Sequence, residues 1–242
     1  MDSSHLVERQ LGLWKFQTAS PQTGGKLLVQ GPPPVTFGPY ITISRDYGAG
    51  GRQLAGALSA RLGWAVFDHF LMDTVAEQAH VRQSVIDSLD ERGQNWMRDY
   101  LSGLPFANSL TSDEFLTKLI RVATTLAQRG RAILIGRGLN CVLPPEAGVR
   151  VRLTAPFAFR VRWLMGVEHL GEAEATEQVA KVDREREQYV RQYFKRDIRD
   201  SASYDRVFDA SALPMTEVAA QVCRLLEAKL GPAAVASVKH SP

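Results

Sequence analysis

The chain is poor in cysteine: among 242 residues only Cys141 and Cys223 carry a thiol. They form one disulfide at most and have no metal-site spacing, which fits a reducing, cytoplasmic setting and not a disulfide-stapled secreted scaffold. Five histidines are scattered and outline no metal constellation. No apolar run approaches the ~18 residues of a membrane span. The longest candidate, Ala132-Ile133-Leu134-Ile135, is strand-sized, so we expect no membrane partner. The opening Met1-Asp2-Ser3-Ser4-His5 lacks the basic and apolar segments of a secretory signal. An excess of one charge is also lacking, because a net charge of +3 is too small to argue for a nucleic-acid partner. Lysine is scarce: 7 of the 29 basic residues are Lys against 22 Arg, and none lies between Lys26 and Lys118. Arginine is the better bidentate grip on phosphate and carboxylate, although the codon bias of a GC-rich genome gives the same imbalance. What remains is an ordinary globular balance, 45% hydrophobic and 23% charged, at a length that suits one α/β domain with an appendage.

Residues 1–38 differ from the rest. Pro21, Thr23-Gly24-Gly25 and Gly31-Pro32-Pro33-Pro34 break regular structure, so this stretch reads as a flexible arm, with Leu11, Leu13, Trp14 and Phe16 able to dock on a surface or a second subunit. Residues 39–232 alternate strand and helix signals, and 233–242 read as a tail. Strands are expected at 40–44, 64–67, 132–135, 149–153 and 204–208. Helices are expected from Leu54 to Leu62, over 156–165, 174–194 and 216–230, and after the capping-box spacing of Thr111-Ser112-Asp113-Glu114, with uncertain helical boundaries over 70–108. Strands separated by helices predict a three-layer, doubly wound parallel sheet of about five strands, with ligands beyond the carboxyl ends.

The first of these strands runs into Tyr47-Gly48-Ala49-Gly50-Gly51 and then a helix. Strand, glycine loop and helix together make a phosphate site: the missing Cβ atoms and free φ let backbone N–H groups converge on an oxyanion, and the helix N-terminus adds its own. The loop departs from G-x-x-x-x-G-K-[ST]. Gly51 stands where the lysine would be and Arg52 where the magnesium-ligating hydroxyl would be. Arg52, and after it Arg45, are the candidate cations for the donor phosphates. Ser44, Arg45 and the run Tyr47, Gly48, Ala49, Gly50, Gly51, Arg52 and Gln53 form the candidate donor site. Arg137, between two glycines at a strand's carboxyl end, sits where ligands bind.

Ile41-Thr42-Ile43-Ser44-Arg45-Asp46-Tyr47-Gly48-Ala49-Gly50-Gly51-Arg52 resembles the opening motif of the cytidylate kinase-like family. Phe67-Asp68, Ile135-Gly136-Arg137-Gly138, Leu153-Thr154-Ala155-Pro156 leading to Arg160, Asp183-Arg184-Glu185-Arg186 and Tyr204-Asp205 follow in the family's order. The resemblance covers roughly 40–230. It implies a P-loop nucleoside-monophosphate kinase fold with a helical lid and acceptor region, in which Arg137 and Arg160 reach phosphate. Asp183 and Arg186 would read the cytosine and ribose side, and Asp68 would border the acceptor. An arginine usual in the helix after Asp68 has no counterpart, since Met72-Asp73-Thr74 occupies the stretch.

The resemblance further implies a lid over roughly 160–191, with Gly166 and Gly171 flanking its flexible segment and Arg184 as a transition-state cation. ATP and Mg²⁺ are the implied cofactors, magnesium held mainly by phosphates and waters, with Asp46 helping indirectly. The expected function is phosphoryl transfer from ATP to a nucleoside monophosphate, most simply CMP or dCMP, in a monomer or homodimer. Two alternatives stay open: a nucleotide-binding regulatory module that lost turnover with the loop lysine and hydroxyl, and a kinase for another small acceptor.

Overall fold

In the computed structural model, residues 3–19, 27–29, 35–87 and 114–235 are described, with 95, 97, 99–100 and 102–103. The capping residues Thr111, Ser112 and Asp113 fall outside these, as do 236–242 of the expected tail. Strands β3 (Tyr40–Arg45), β4 (Ala65–Phe67), β5 (Ala132–Ile135), β6 (Gly148–Thr154) and β7 (Arg206–Asp209) form one sheet in the order β4-β5-β3-β6-β7. All four pairings are parallel, as the alternation of strands and helices predicts. Helices α2 (Gly51–Leu62), α3 (His69–Glu77), α4 (Ala79–Ile86), α5 (Glu114–Arg129) and α8 (Met215–Leu230) cover the sheet. Helices α6 (Phe157–Glu168) and α7 (Glu172–Phe194) form a hairpin above its carboxyl edge.

The inner strands β3 and β5 are buried on both faces and their alternate residues enter different cores, whereas edge strand β7 is largely exposed. Ile41, Ile43, Ile133 and Ile135 join the core beneath α2 and α8. Tyr40, Ala132 and Leu134 join the core beneath α3, α4 and α5. Strands β4 and β5 lie on one side of β3, and β6 and β7 on the other. The chain therefore reverses its winding beside β3, and the crevice of a doubly wound sheet opens there.

The N-terminal segment corrects an expectation. Residues 3–19, read from sequence as part of a flexible arm, form helix α1 (Ser3–Ala19), and β1 (Leu27–Val29) pairs antiparallel with β2 (Val35–Phe37). Val7, Leu11 and Trp14 are buried in the α3–α5 core, whereas Phe16 is exposed. Trp14 Nε1 donates to the Gly130 carbonyl at 3.1 Å, and the Gln10 side chain accepts from the Val66 N–H of edge strand β4 at 2.9 Å. Gly130 itself packs against the chain before β3: a Cβ there would lie 2.6 Å from the Gly38 Cα. Proline and glycine are concentrated in 20–38 and say nothing about the helix before them.

Two smaller corrections concern the termini of elements. Gly166, expected to flank a flexible segment, is interior to α6, and the α6–α7 turn is made by His169, whose φ is +56°. Residues 232–234, at the start of the expected tail, form a single helical turn with Ala234 buried. Cys141 and Cys223 are both free thiols, and no helix among the described residues is long and apolar enough to cross a membrane.

Replacing Trp14 with Ala should cost about 3–5 kcal/mol, the range for deleting a buried aromatic side chain. Denaturant unfolding of Trp14→Ala measures it; a midpoint within error of wild type would mean that α1 is dispensable.

Candidate active site

The β3–α2 loop is built around two left-handed glycines, Gly48 (φ +80°) and Gly50 (φ +84°). A Cβ on Gly48 would lie 3.1 Å from the Arg160 carbonyl oxygen, so the loop also passes close under α6. Ala49 N–H donates to the Asp46 carbonyl (3.2 Å), and the first intrahelical bond of α2 runs from Leu54 N–H to the Gly50 carbonyl (3.0 Å). The N–H groups of Gly48, Gly50, Gly51, Arg52 and Gln53 meet no acceptor among the described residues. They form a row of donors at a helix N-terminus, a cradle of the kind that suits an anion.

Two clefts flank this loop. One, of about 300 Å³, is lined by Ser44 and Arg45 at the end of β3, His69 of α3, Arg137 after β5, and Arg186 and Tyr189 of α7. The other, of about 240 Å³, is lined by Gly48, Ala49, Gly50 and Gln53 together with the aromatic and apolar side chains of Phe159, Trp163, Leu213 and Met215. The first is cationic and the second largely apolar, so a ligand with a charged end and a flat apolar end would span them beside the cradle.

Arg45 is the electrostatic centre of the cationic cleft. Its side chain fills the space that Gly51 and Gly136 leave: a Cβ on Gly51 would lie 2.9 Å from Arg45 Cγ, and one on Gly136 would overlap the guanidinium. Among the described residues no carboxylate pairs with it. Burial, then the Arg186 charge, pushes the guanidinium down to about 9; Asp68 pulls the other way, and Arg52 and Arg137 add to the push. Arg45 is thus still a cation at neutral pH, but one held among like charges. Burial also lowers Arg186, with Asp183 opposing. His69 is lowered by burial and then by Arg45, so its imidazole stays neutral to lower pH than usual. A bound anion would relieve all three.

The surrounding arginines are fixed by partners. Arg160 donates from Nε to the Ala155 carbonyl (2.9 Å) and from Nη1 to the Tyr47 carbonyl (3.0 Å) and Asp183 Oδ2 (2.6 Å). Asp183 Oδ1 accepts the Tyr47 N–H at 2.8 Å. Arg186 donates to the Arg45 carbonyl (3.0 Å) and lies over the Tyr47 ring, 5.4 Å from its centre. The Tyr47 hydroxyl donates to Glu168 and accepts from Gln178, both at 3.0 Å, tying the loop to both helices of the α6–α7 hairpin.

These contacts redistribute the roles that sequence suggested. Arg45, Arg137 and Arg186 converge on one cleft, with Ser44 beside them. Asp183 accepts from the Tyr47 N–H and from Arg160, as a partly buried carboxylate takes the donors nearest to it. Arg160 lines neither of these two clefts but a further one of about 470 Å³, together with Asp46, Arg152 and Asp183. Arg52 is exposed, 75% by side chain, and its guanidinium meets Asp68 at 3.2 Å, which makes it a weaker choice than Arg45 for the loop cation. Asp68 caps α3 by accepting the Leu71 N–H at 3.0 Å. Arg184 is exposed and lines neither cleft. Asp46 accepts from Arg152 Nη2 at 2.6 Å; burial raises its carboxyl and Arg152 draws it back. No three acidic, histidine or cysteine side chains cluster among the described residues.

Sequence reasoning missed Arg152, which is 5% exposed and bonds the Ser44 hydroxyl at 3.1 Å as well as Asp46. Its signal was an arginine at the inner end of a strand buried on both faces. It also missed the pairing of Asp73 with Arg137, which no local pattern announces.

A parallel sheet, a glycine loop at its point of reversal and arginines beyond the strand ends define a doubly wound α/β domain of the P-loop kinase fold. The family is narrower: the sequence model of the cytidylate kinase-like family matches residues 40–212, and the chain belongs to that family. Among solved structures the chain is similar to an uncharacterised protein from Eubacterium ventriosum, with a TM-score of 0.59 and 19% identity over 78% of this chain and 98% of that one. It is more distantly similar to TT1252 from Thermus thermophilus, with a TM-score of 0.45 and 16% identity over 80% and 98%. Shikimate kinase from Bacteroides thetaiotaomicron gives 0.42 and 15% over 78% and 98%. The first likeness is one of fold alone. No curated protein sequence matches the chain.

Replacing Arg45 with Met should remove an unpaired, mostly buried charge and stabilise the ligand-free protein by about 1 kcal/mol, or about 2–4 °C in Tm. The same change should abolish the Tm increase given by inorganic pyrophosphate. Scanning calorimetry with and without pyrophosphate reads both; a lower Tm with retained pyrophosphate protection would show that Arg45 is structural.

Proposed function

We propose that the protein transfers the terminal phosphoryl group of ATP to a nucleoside monophosphate of the CMP type. The observation that carries this reading is the unpaired Arg45 guanidinium at the end of β3, next to a row of free loop N–H groups and between a cationic and an apolar cleft. In the proposal the loop N–H groups from Gly48 to Gln53 hold the donor phosphates, and the apolar cleft at Phe159, Trp163 and Met215 takes the donor base. The acceptor phosphate enters the cationic cleft, against Arg45, Arg186 and Arg137.

Phosphoryl transfer asks little covalent chemistry of a protein. It needs two anions held in line and the charge that spreads over the transferred group offset by fixed cations and dipoles. Arg45 supplies the charge that a loop lysine would otherwise supply, from the strand side of the loop. Arg160 and Asp183 keep the loop backbone in the shape that presents its donors, and Tyr47 holds the α6–α7 hairpin over it, which excludes water. Magnesium would be held mainly by the donor's phosphates and waters and would offset part of their charge, with Asp46, bonded to Arg152, the carboxylate that could help position it.

A second reading, a nucleotide-binding regulatory module, is favoured by the absence of a lysine and a hydroxyl from the loop. Phosphotransfer with ATP and Mg²⁺ against CMP, dCMP, UMP, AMP and GMP separates the two. Diphosphate product at a turnover on the order of 1–100 s⁻¹ is expected. Arg45→Met should lower kcat/KM about 100-fold, the scale of one lost charge-stabilising donor, and Arg52→Met less than about threefold, as an exposed cation. ATP binding by calorimetry without product from any acceptor would support the regulatory module instead.

A further inference from the structure

The guanidinium of Arg137 is committed before any ligand arrives. Its Nε donates to Asp73 Oδ1 at 2.9 Å and its Nη2 to Asp73 Oδ2, so the fork that best fits a phosphate or carboxylate lies on an internal carboxylate. Asp73 belongs to α3 and Arg137 to the turn after β5; the pair is part-buried, at 23% and 27% side-chain exposure. Arg137 lines the cationic cleft and Asp73 does not, which places the carboxylate behind the cation. Other contacts hold Arg137 in place as well. Its backbone is left-handed (φ +53°) between left-handed Gly136 and Gly138, and its guanidinium lies 5.6 Å from the centre of the Tyr189 ring. Position is therefore secured without Asp73, and what Asp73 adds is charge and competition for the fork.

We propose that Asp73 is an internal competitor for the acceptor anion: Arg137 exchanges the Asp73 carboxylate for the acceptor's phosphate when the cleft fills, and Asp73 thereby sets acceptor affinity. This rests on the cationic cleft being the acceptor site. The exchange involves no covalent step, since one bidentate pair replaces another. Arg45 and Arg186 give the incoming anion its first hold, because neither is paired with a side-chain carboxylate among the described residues. The cleft then binds a doubly charged phosphate monoester better than a singly charged anion, as only the former outbids Asp73 for the fork.

The test is calorimetry of CMP and of inorganic phosphate with the full chain, wild type and Asp73→Asn. Asn keeps the size and one acceptor oxygen but removes the charge. Asp73→Asn should tighten both ligands about three- to fivefold, the upper part of the range for a partly exposed ion pair, and leave ATP affinity unchanged. In an Arg137→Ala background the same substitution should have no effect, which separates competition from a general change in cleft charge. Unchanged or weaker binding to Asp73→Asn overturns the proposal, and so does a wild type and variant that bind neither ligand. Tighter phosphate binding by Asp73→Asn without phosphoryl transfer from any variant would uphold the exchange and reject the kinase reading. Turnover on CMP with no gain in Asp73→Asn would do the reverse.

Discussion

The Asp183 carboxylate joins three elements: the distant β3–α2 loop through the Tyr47 N–H, the neighbouring helix α6 through Arg160, and its own helix α7. A part-buried carboxylate with two strong donors is costly to break, since losing one partner leaves the other charge unsatisfied. The tie fixes the loop backbone against the α6–α7 hairpin. The N–H groups of the fixed loop and of the first turn of α2 stay free because a helix leaves its first donors without intrahelical partners.

The same arrangement sorts the cations. Arg160 and Arg152 are neutralised by Asp183 and Asp46 and serve as struts. Arg137 is restrained by Asp73. Arg45 is left over, pressed into the space above Gly51 and Gly136 with no carboxylate of its own. An uncompensated charge in such a place does not serve stability, and it is the feature on which the proposed phosphate-binding role of Arg45 rests.

Several parts of this were legible early. The five parallel strands came from β-branched runs spaced by helices, and the glycine loop from its place between a strand and a helix. The family resemblance rested on ordered motifs from Ile41 to Asp205, and residues 40–212 match the family. Other parts were not legible, for identifiable reasons. Asp183 and Arg186 are three apart on one helix and looked like a pair facing a single ligand, yet one turns to the loop backbone and the other to the Arg45 carbonyl. Arg52, first in the helix after the glycines, looked like the loop cation, but its side chain runs outward to Asp68. Helix α1 was masked by the proline-rich stretch that follows it.

Local sequence by itself determined the order of strands and helices, the left-handed turns at Gly48 and Gly50, and the wealth of arginine. These follow from backbone sterics and side-chain periodicity, which act over a few residues. Only the tertiary structure decided which arginine is paired and which is bare, because each carboxylate that neutralises one comes from another element: Asp73 for Arg137, Asp46 for Arg152, Asp183 for Arg160. Charge pairing depends on distance in space, and spacing along the chain carries no record of it.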